Sequence, residues 1–309
     1  MDGAVSTQPE SPLSYAGPPP VLIAGDSDAA LRRAADTIGA AGLRIADRVG
    51  VDAAIARIDR QISASALWIE LDGDGGAPMD RLLDRLNGDA GAGRYSAVVA
   101  GPLALVDVLT ARLTDPAIAI LIDGDEAERA AALAIATSGA ARVAHVADVA
   151  SDRGAARLRQ LSDEVARIAA TLARLSAGPE ASAATPPPAA KTGDVPAIDP
   201  EKVRAIIRAR RLRARYFDPE LFADPAWDML LDLVQAEIDQ LRVPVSSLCI
   251  AAAVPATTAL RWIKTMTDSG LFVRRADPHD GRRVFVEMAP GTSLAMRRYF
   301  AEIGKPLVV

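Results

Sequence analysis

Between Val21 and Val146 the chain alternates short β-type runs with amphipathic helical stretches, and this rhythm restricts the fold more than any other feature. The β-type runs are Val21-Leu22-Ile23-Ala24, Leu43-Arg44-Ile45, Ala66 to Leu71, Ala97-Val98-Val99-Ala100, Ile118 to Ile122 and Val143-Ala144-His145-Val146. Helical stretches over 27–41, 52–62, 78–87, 103–113 and 125–138 separate them. Runs apolar at consecutive positions leave no face for water, so they belong in a parallel sheet covered by helices on both sides. The expectation over 21–150 is an α/β domain with a doubly wound parallel sheet of five or six strands.

At 309 residues the chain is long enough for a second core. The net charge of −5 hides a split: residues 200–309 hold 17 basic and 13 acidic side chains, residues 1–199 hold 18 and 27. An anionic partner therefore belongs with the C-terminal half. One cysteine, Cys249, and two histidines, His145 and His279, exclude a disulfide framework and a multi-ligand zinc site. Residues 1–20 have neither a basic start nor an apolar run and read as a disordered lead, and no stretch is apolar enough to span a bilayer. These features imply a cytoplasmic protein with no membrane contact.

Over 151–176 the apolar residues Leu158, Leu161, Val165, Ile168, Leu172 and Leu175 repeat at three- and four-residue spacings. That seam suits a short coiled coil joining two copies of the chain, and equally the last helix of the α/β domain lying on its own sheet. Residues 177–199 are rich in Pro and Ala and read as a linker that spans roughly 25–30 Å as a coil, long enough to keep the two halves out of rigid contact.

In 200–309 a basic helix at 200–215, with Arg204, Arg208, Arg210, Arg211, Arg213 and Arg215, precedes a core helix over 225–241. The basic run reads as a solvated face or a phosphate clamp. Two short helices follow, 245–253 and 256–269, divided by Val254-Pro255 and ended by Gly270. Pro at a helix start and Gly past its end are the residues those positions favour. In the second helix Ala259, Ile263 and Met266 face inward at helical spacing, which leaves Thr257, Thr258, Arg261 and Lys264 outward, where a recognition helix reads base edges. The β runs 271–275 and 282–288, joined by Asp277-Pro278-His279-Asp280-Gly281, make a hairpin with Arg274, Arg275, Arg282 and Arg283 at its strand ends. Cys249 reads as a small buried hydrophobe or as a redox sensor.

Residues 244–291 resemble the winged helix-turn-helix of MarR-type regulators, through Leu248, Val254, Ser269-Gly270-Leu271 and above all Asp277-Pro278-His279-Asp280-Gly281-Arg282-Arg283. The resemblance implies double-stranded DNA as partner and an Asp280-x-Arg282 pair that aims an arginine at the minor groove. Only one short helix, about 292–303, follows the wing, so the paired terminal helices of that family are not evident and the 151–176 seam is the alternative dimer contact.

The order of elements from Val21 resembles the receiver domain of response regulators, a flavodoxin-like fold. That resemblance implies an acidic cluster after the first strand, for which Asp26-Ser27-Asp28 stands here, and an acceptor at the end of the third, where Glu70 and Asp72 are both open. It also implies a hydroxyl after the fourth strand and a lysine after the fifth. Ala100-Gly101 and Asp123-Gly124 supply neither, and lysine is absent from 1–190. A phosphoryl group at the acceptor would lack its counter-cation, so the domain reads as degenerate and not phosphorylated. No nucleotide-binding glycine motif follows the first strand. Asp72, Asp74 and Asp80 suit magnesium or a solvated loop. The expectation is a non-catalytic, cofactor-free, nucleoid-associated homodimeric transcriptional regulator whose N-terminal domain takes a protein or small-ligand signal. The alternative is a signalling adaptor whose two domains both bind proteins.

Overall fold

The structure is a computed structural model, and it describes residues 19–148 and 197–303. The seam residues Leu158 to Leu175, the lead over 1–18 and the linker up to residue 196 lie outside the described residues.

The strands β1 (Val21–Gly25), β2 (Ile45–Gly50), β3 (Ala66–Glu70), β4 (Ala97–Gly101) and β5 (Ile118–Ile122) form one parallel sheet in the order β2-β1-β3-β4-β5. β1 and β3 are buried at every position, as runs without a polar face require. Helices α1 (Asp28–Ala40) and α5 (Glu126–Asp148) cover one face over Ile23, Trp68, Val98 and Leu121. Helices α2 (Val51–Asp59), α3 (Gly76–Gly91) and α4 (Val106–Arg112) cover the other over Leu22, Leu67, Ile69 and Val99. Each such aliphatic side chain contributes about 1.5–3 kcal/mol on burial, so the two-sided sheet is the main source of this domain's stability.

Local signals set the helix ends. The Ser27 hydroxyl accepts from the Ala30 amide at 2.9 Å to cap α1, and Gly42, at φ +69°, turns the chain out of it. The expected sixth strand is absent: Val143–Val146 is the last part of α5. Alanine is the strongest helix former, and the alanine-rich run from Ala130 onward carries the helix through the two valines.

The C-terminal half contains α6 (Pro200–Leu212), α7 (Pro225–Ile238), β6 (Val243–Pro244), α8 (Val245–Ala251), α9 (Ala256–Asp268), β7 (Phe272–Ala276), β8 (Val284–Met288) and α10 (Pro290–Ile303). The three strands form an antiparallel sheet in the order β6-β8-β7. α7 is buried on two faces. Leu231 and Val234 pack with Val203 of α6 and Met296 and Phe300 of α10, while Met229 and Leu233 join the core beneath α8 and α9. α8 and α9 meet at 108°, within the range of helix-turn-helix pairs.

The two halves are not held apart. The core under α2, α3 and α4 continues into Val245, Leu248, Ala259 and Ile263, with α4 packed on α8 and β8, and α9 packed on β5. The expectation of loose halves rests on the composition and length of the linker. Linker length only permits separation, and apolar and charged side chains on the two facing surfaces hold the halves together here. Among the described residues no single helix is long and apolar enough to cross a membrane.

Candidate nucleic-acid interface

The amphipathic pattern of α9 is realised on its inner side. Ala259, Ile263 and Met266 are buried, and Gly270, at φ +72°, ends the helix. Ala253 lies in the turn between α8 and α9 with φ +53°, a conformation that puts an alanine Cβ against the following carbonyl. Arg261 and Lys264 stand in solvent, Lys264 paired with Asp268 at 2.9 Å, and Thr258 is half-buried.

Thr257 does not point outward as expected: it is 4% exposed. Its hydroxyl donates to the Ile122 carbonyl at 3.1 Å and accepts from the Ile122 amide at 3.3 Å. Ile122 ends β5, an edge strand, so the threonine satisfies backbone groups that an edge leaves unpaired. The sequence pattern could not show this, because a second domain, not the winged helix itself, buries the residue.

The wing carries the four expected arginines, and each has a partner. The Arg274 guanidinium donates to the Thr110 carbonyl of α4 at 2.5 Å; the rest of the residue is exposed, while burial of the head draws its pKa below the ordinary arginine value. Arg275 pairs with Glu287 across the hairpin at 2.8 Å, and Arg283 with Asp280 at 3.2 Å. The Asp280 carboxylate accepts the Arg282 amide at 3.0 Å, so the Asp-x-Arg pair is a backbone turn contact. Arg282 itself reaches the α/β domain, pairing with Asp74 at 2.5 Å and lying 3.4 Å from Asp80. The hydrogen bond raises the Arg282 pKa and lowers that of Asp74.

A further cross-domain contact involves two residues that sequence reasoning did not single out. Asp107 of α4 accepts the Ser246 amide at 2.9 Å and its hydroxyl at 2.6 Å, supplying at the start of α8 the cap that Pro244 lacks.

At the C-terminal ends of β3, β4 and β5, beside α1 and α5, lies an open cleft of about 930 Å³ bordered by Arg33, Thr37, Glu70, Asp72, Asp123 and Arg129. Glu70, 3% exposed, accepts from Arg129 at 2.7 and 3.0 Å, from Arg33 at 3.2 Å and from the Trp68 indole at 2.8 Å. Asp72 stands further out, bound by Ser27 at 2.5 Å and by Arg33, and these hydrogen bonds hold its carboxyl below the usual range. Asp26 accepts the amides of Asp72 and Gly73 at 2.8 and 3.0 Å. Asp72, Asp74 and Asp80, which offered a magnesium reading, are thus divided among Arg33, Arg282 and Arg112. Arg33 and Arg129 supply the cations beside Glu70 in a half of the chain where residues 1–190 include no lysine. Their signal lay in helical placement, Arg33 four residues before Thr37 on α1 and Arg129 in the first turns of α5.

No family model and no curated protein matches the chain. Among solved structures, S. aureus MepR bound to ethidium bromide is similar over 33% of this chain and 70% of its own, at 14% identity and a TM-score of 0.23. A probable transcriptional regulator from Pseudomonas aeruginosa is similar over 33% of this chain and 74% of its own, at 23% identity and a TM-score of 0.21. Bordetella bronchiseptica BpsR, in a structure on regulation of its DNA binding by 6-hydroxynicotinic acid, covers 33% and 80% at 20% identity and a TM-score of 0.21. Likeness at these scores adds no weight beside the geometry of the two helices and the hairpin.

Proposed function

We propose that this chain is a transcriptional regulator that binds double-stranded DNA through α9 and the β7–β8 wing. The observation that carries the reading is a helix pair crossing at 108° followed by a hairpin bearing four arginines, the arrangement in which a helix enters a groove and a wing follows the backbone. Arg261, Lys264 and Thr258 are the base-reading candidates, with Thr257 joining them once its contact to β5 opens. Arg274, Arg275, Arg282 and Arg283 serve phosphates and the minor groove, with Asp280 shaping the turn.

In this reading the N-terminal domain is receiver-like, as its strand order supports. It takes no phosphoryl group, because Glu70 is buried and neutralised by two arginines while Asp72 is engaged by Ser27 and Arg33. The chain is a non-catalytic cytoplasmic homodimer paired through Leu158, Leu161, Val165, Ile168, Leu172 and Leu175, with the cleft beside Arg129 open to a small ligand or protein signal.

One observation favours the adaptor reading: Arg282 takes protein carboxylates here. Selection of bound sequences from a random duplex pool with the full chain separates the two readings. An enriched motif whose affinity falls steeply with salt supports the regulator, and no binding at low salt supports the adaptor. Within the regulator reading, Arg261→Ala relaxes sequence preference. Arg283→Ala weakens binding to all sequences alike and lowers the salt slope by about one.

A further inference from the structure

The face assigned to DNA is the face on which the two halves of the chain meet. Thr257, at the N-terminal end of α9, is sealed against β5, Arg274 at the wing base is bonded to α4, and Arg282 at the wing lies between Asp74 and Asp80. We propose that the α/β domain is an intramolecular competitor of DNA, its carboxylates Asp74 and Asp80 occupying the wing arginine that a phosphate would take. The proposal rests on the DNA-binding reading of the winged helix.

A carboxylate and a phosphate present the same chemistry to a guanidinium, paired anionic oxygens that accept its N–H groups, so one arginine cannot serve both. Asp74 is held in place to compete, since its Oδ1 accepts the Gly76 amide at 2.9 Å as well as the Arg282 guanidinium. The apolar part of the contact works in the same sense. Leu260, on the outward face of α9 with Thr257, Arg261 and Lys264, packs against the shared core where a groove would otherwise receive it.

The charged part of the contact is only partly satisfied. Arg282 Nε and Asp80 Oδ1 face each other at 3.4 Å as an ion pair without a hydrogen bond, and Arg112 Nε in the same cluster also lacks a hydrogen bond. An ion pair of this looser geometry returns less of its desolvation cost than a hydrogen-bonded one, so a phosphate can compete for Arg282. Residues 149–196 connect the halves by a length of chain that permits them to part.

The test uses the full chain. Affinity for a mixed-sequence duplex of about 30 base pairs is measured at fixed low salt for the wild type and for Asp74→Ala combined with Asp107→Ala, neither residue lying on the DNA-reading face. The double variant is expected to bind at least about tenfold more tightly. Affinity equal to or weaker than wild type overturns the competitor role. If the double variant melts early, the single variant Asp74→Ala carries the same comparison, since that side chain is half exposed and outside both cores. Failure of both proteins to bind any duplex would instead remove the DNA-binding reading on which the proposal stands.

Discussion

Ala253 bears the local cost of the helix-turn-helix. Its φ of +53° suits glycine, and the residue is exposed, so nothing but the turn constrains it. Relief of the steric penalty, about 1–2 kcal/mol, outweighs the added chain entropy of glycine, about 0.5–1 kcal/mol. Ala253→Gly therefore raises the melting temperature in calorimetry, and an unchanged or lower value would contradict the backbone assignment. Cys249 is 2% exposed, and burial, with Asp107 nearby, pushes its thiol up to about 12. Of its two sequence readings the structure supports the buried hydrophobe, because the reactive species is the thiolate. Iodoacetamide should leave Cys249 unmodified in the native chain near pH 8 and alkylate it in denaturant; rapid native labelling would restore the sensor reading.

At the scale of elements, docking of the wing turns on its ion pair with Asp74. The hydrogen bond from Arg282 holds the Asp74 carboxyl below the ordinary value, so the pair contributes fully above that value and is lost only as pH falls through the depressed one. Docking of the wing should accordingly change little between about pH 6 and 8, and duplex affinity should be flat over that window at constant salt. A strong slope there would assign the contact to another group.

The elements also show what the sequence makes legible. α9 and the wing are readable because Ala259, Ile263 and Met266 keep helical spacing and because Pro, Gly and Asp mark the turn. β1 and β3 are readable because strands buried on both faces leave uninterrupted apolar runs. Val143–Val146 misleads because β-branched residues in so short a run carry less weight than the alanines around them. The pairing of Glu70 with Arg33 and Arg129 is invisible along the chain, since it joins residues 37 and 59 positions apart.

At the scale of the whole molecule, the docking of the halves was the least legible feature. Thr257 fits a base-reading position and a strand-edge cap equally well, and only the fold brings Ile122 to it. Leu260 is a hint, an apolar residue set among Thr257, Arg261 and Lys264 on the outward face. Charge gave half of the answer. The acidic balance of 1–199 and the basic balance of 200–309 pointed to an anionic partner for the second half, and part of that anion is the first half of the same chain.

That this face binds DNA and that the α/β domain covers it can be read together in hydrogen exchange of the full chain with and without a selected duplex. DNA should slow exchange in Ala256–Asp268 and the wing while it speeds exchange at Leu71–Gly76 and Val106–Arg112, the segments released when the halves part. Unchanged exchange throughout would contradict both roles of the face, and protection of the α/β segments along with α9 would contradict the covering role.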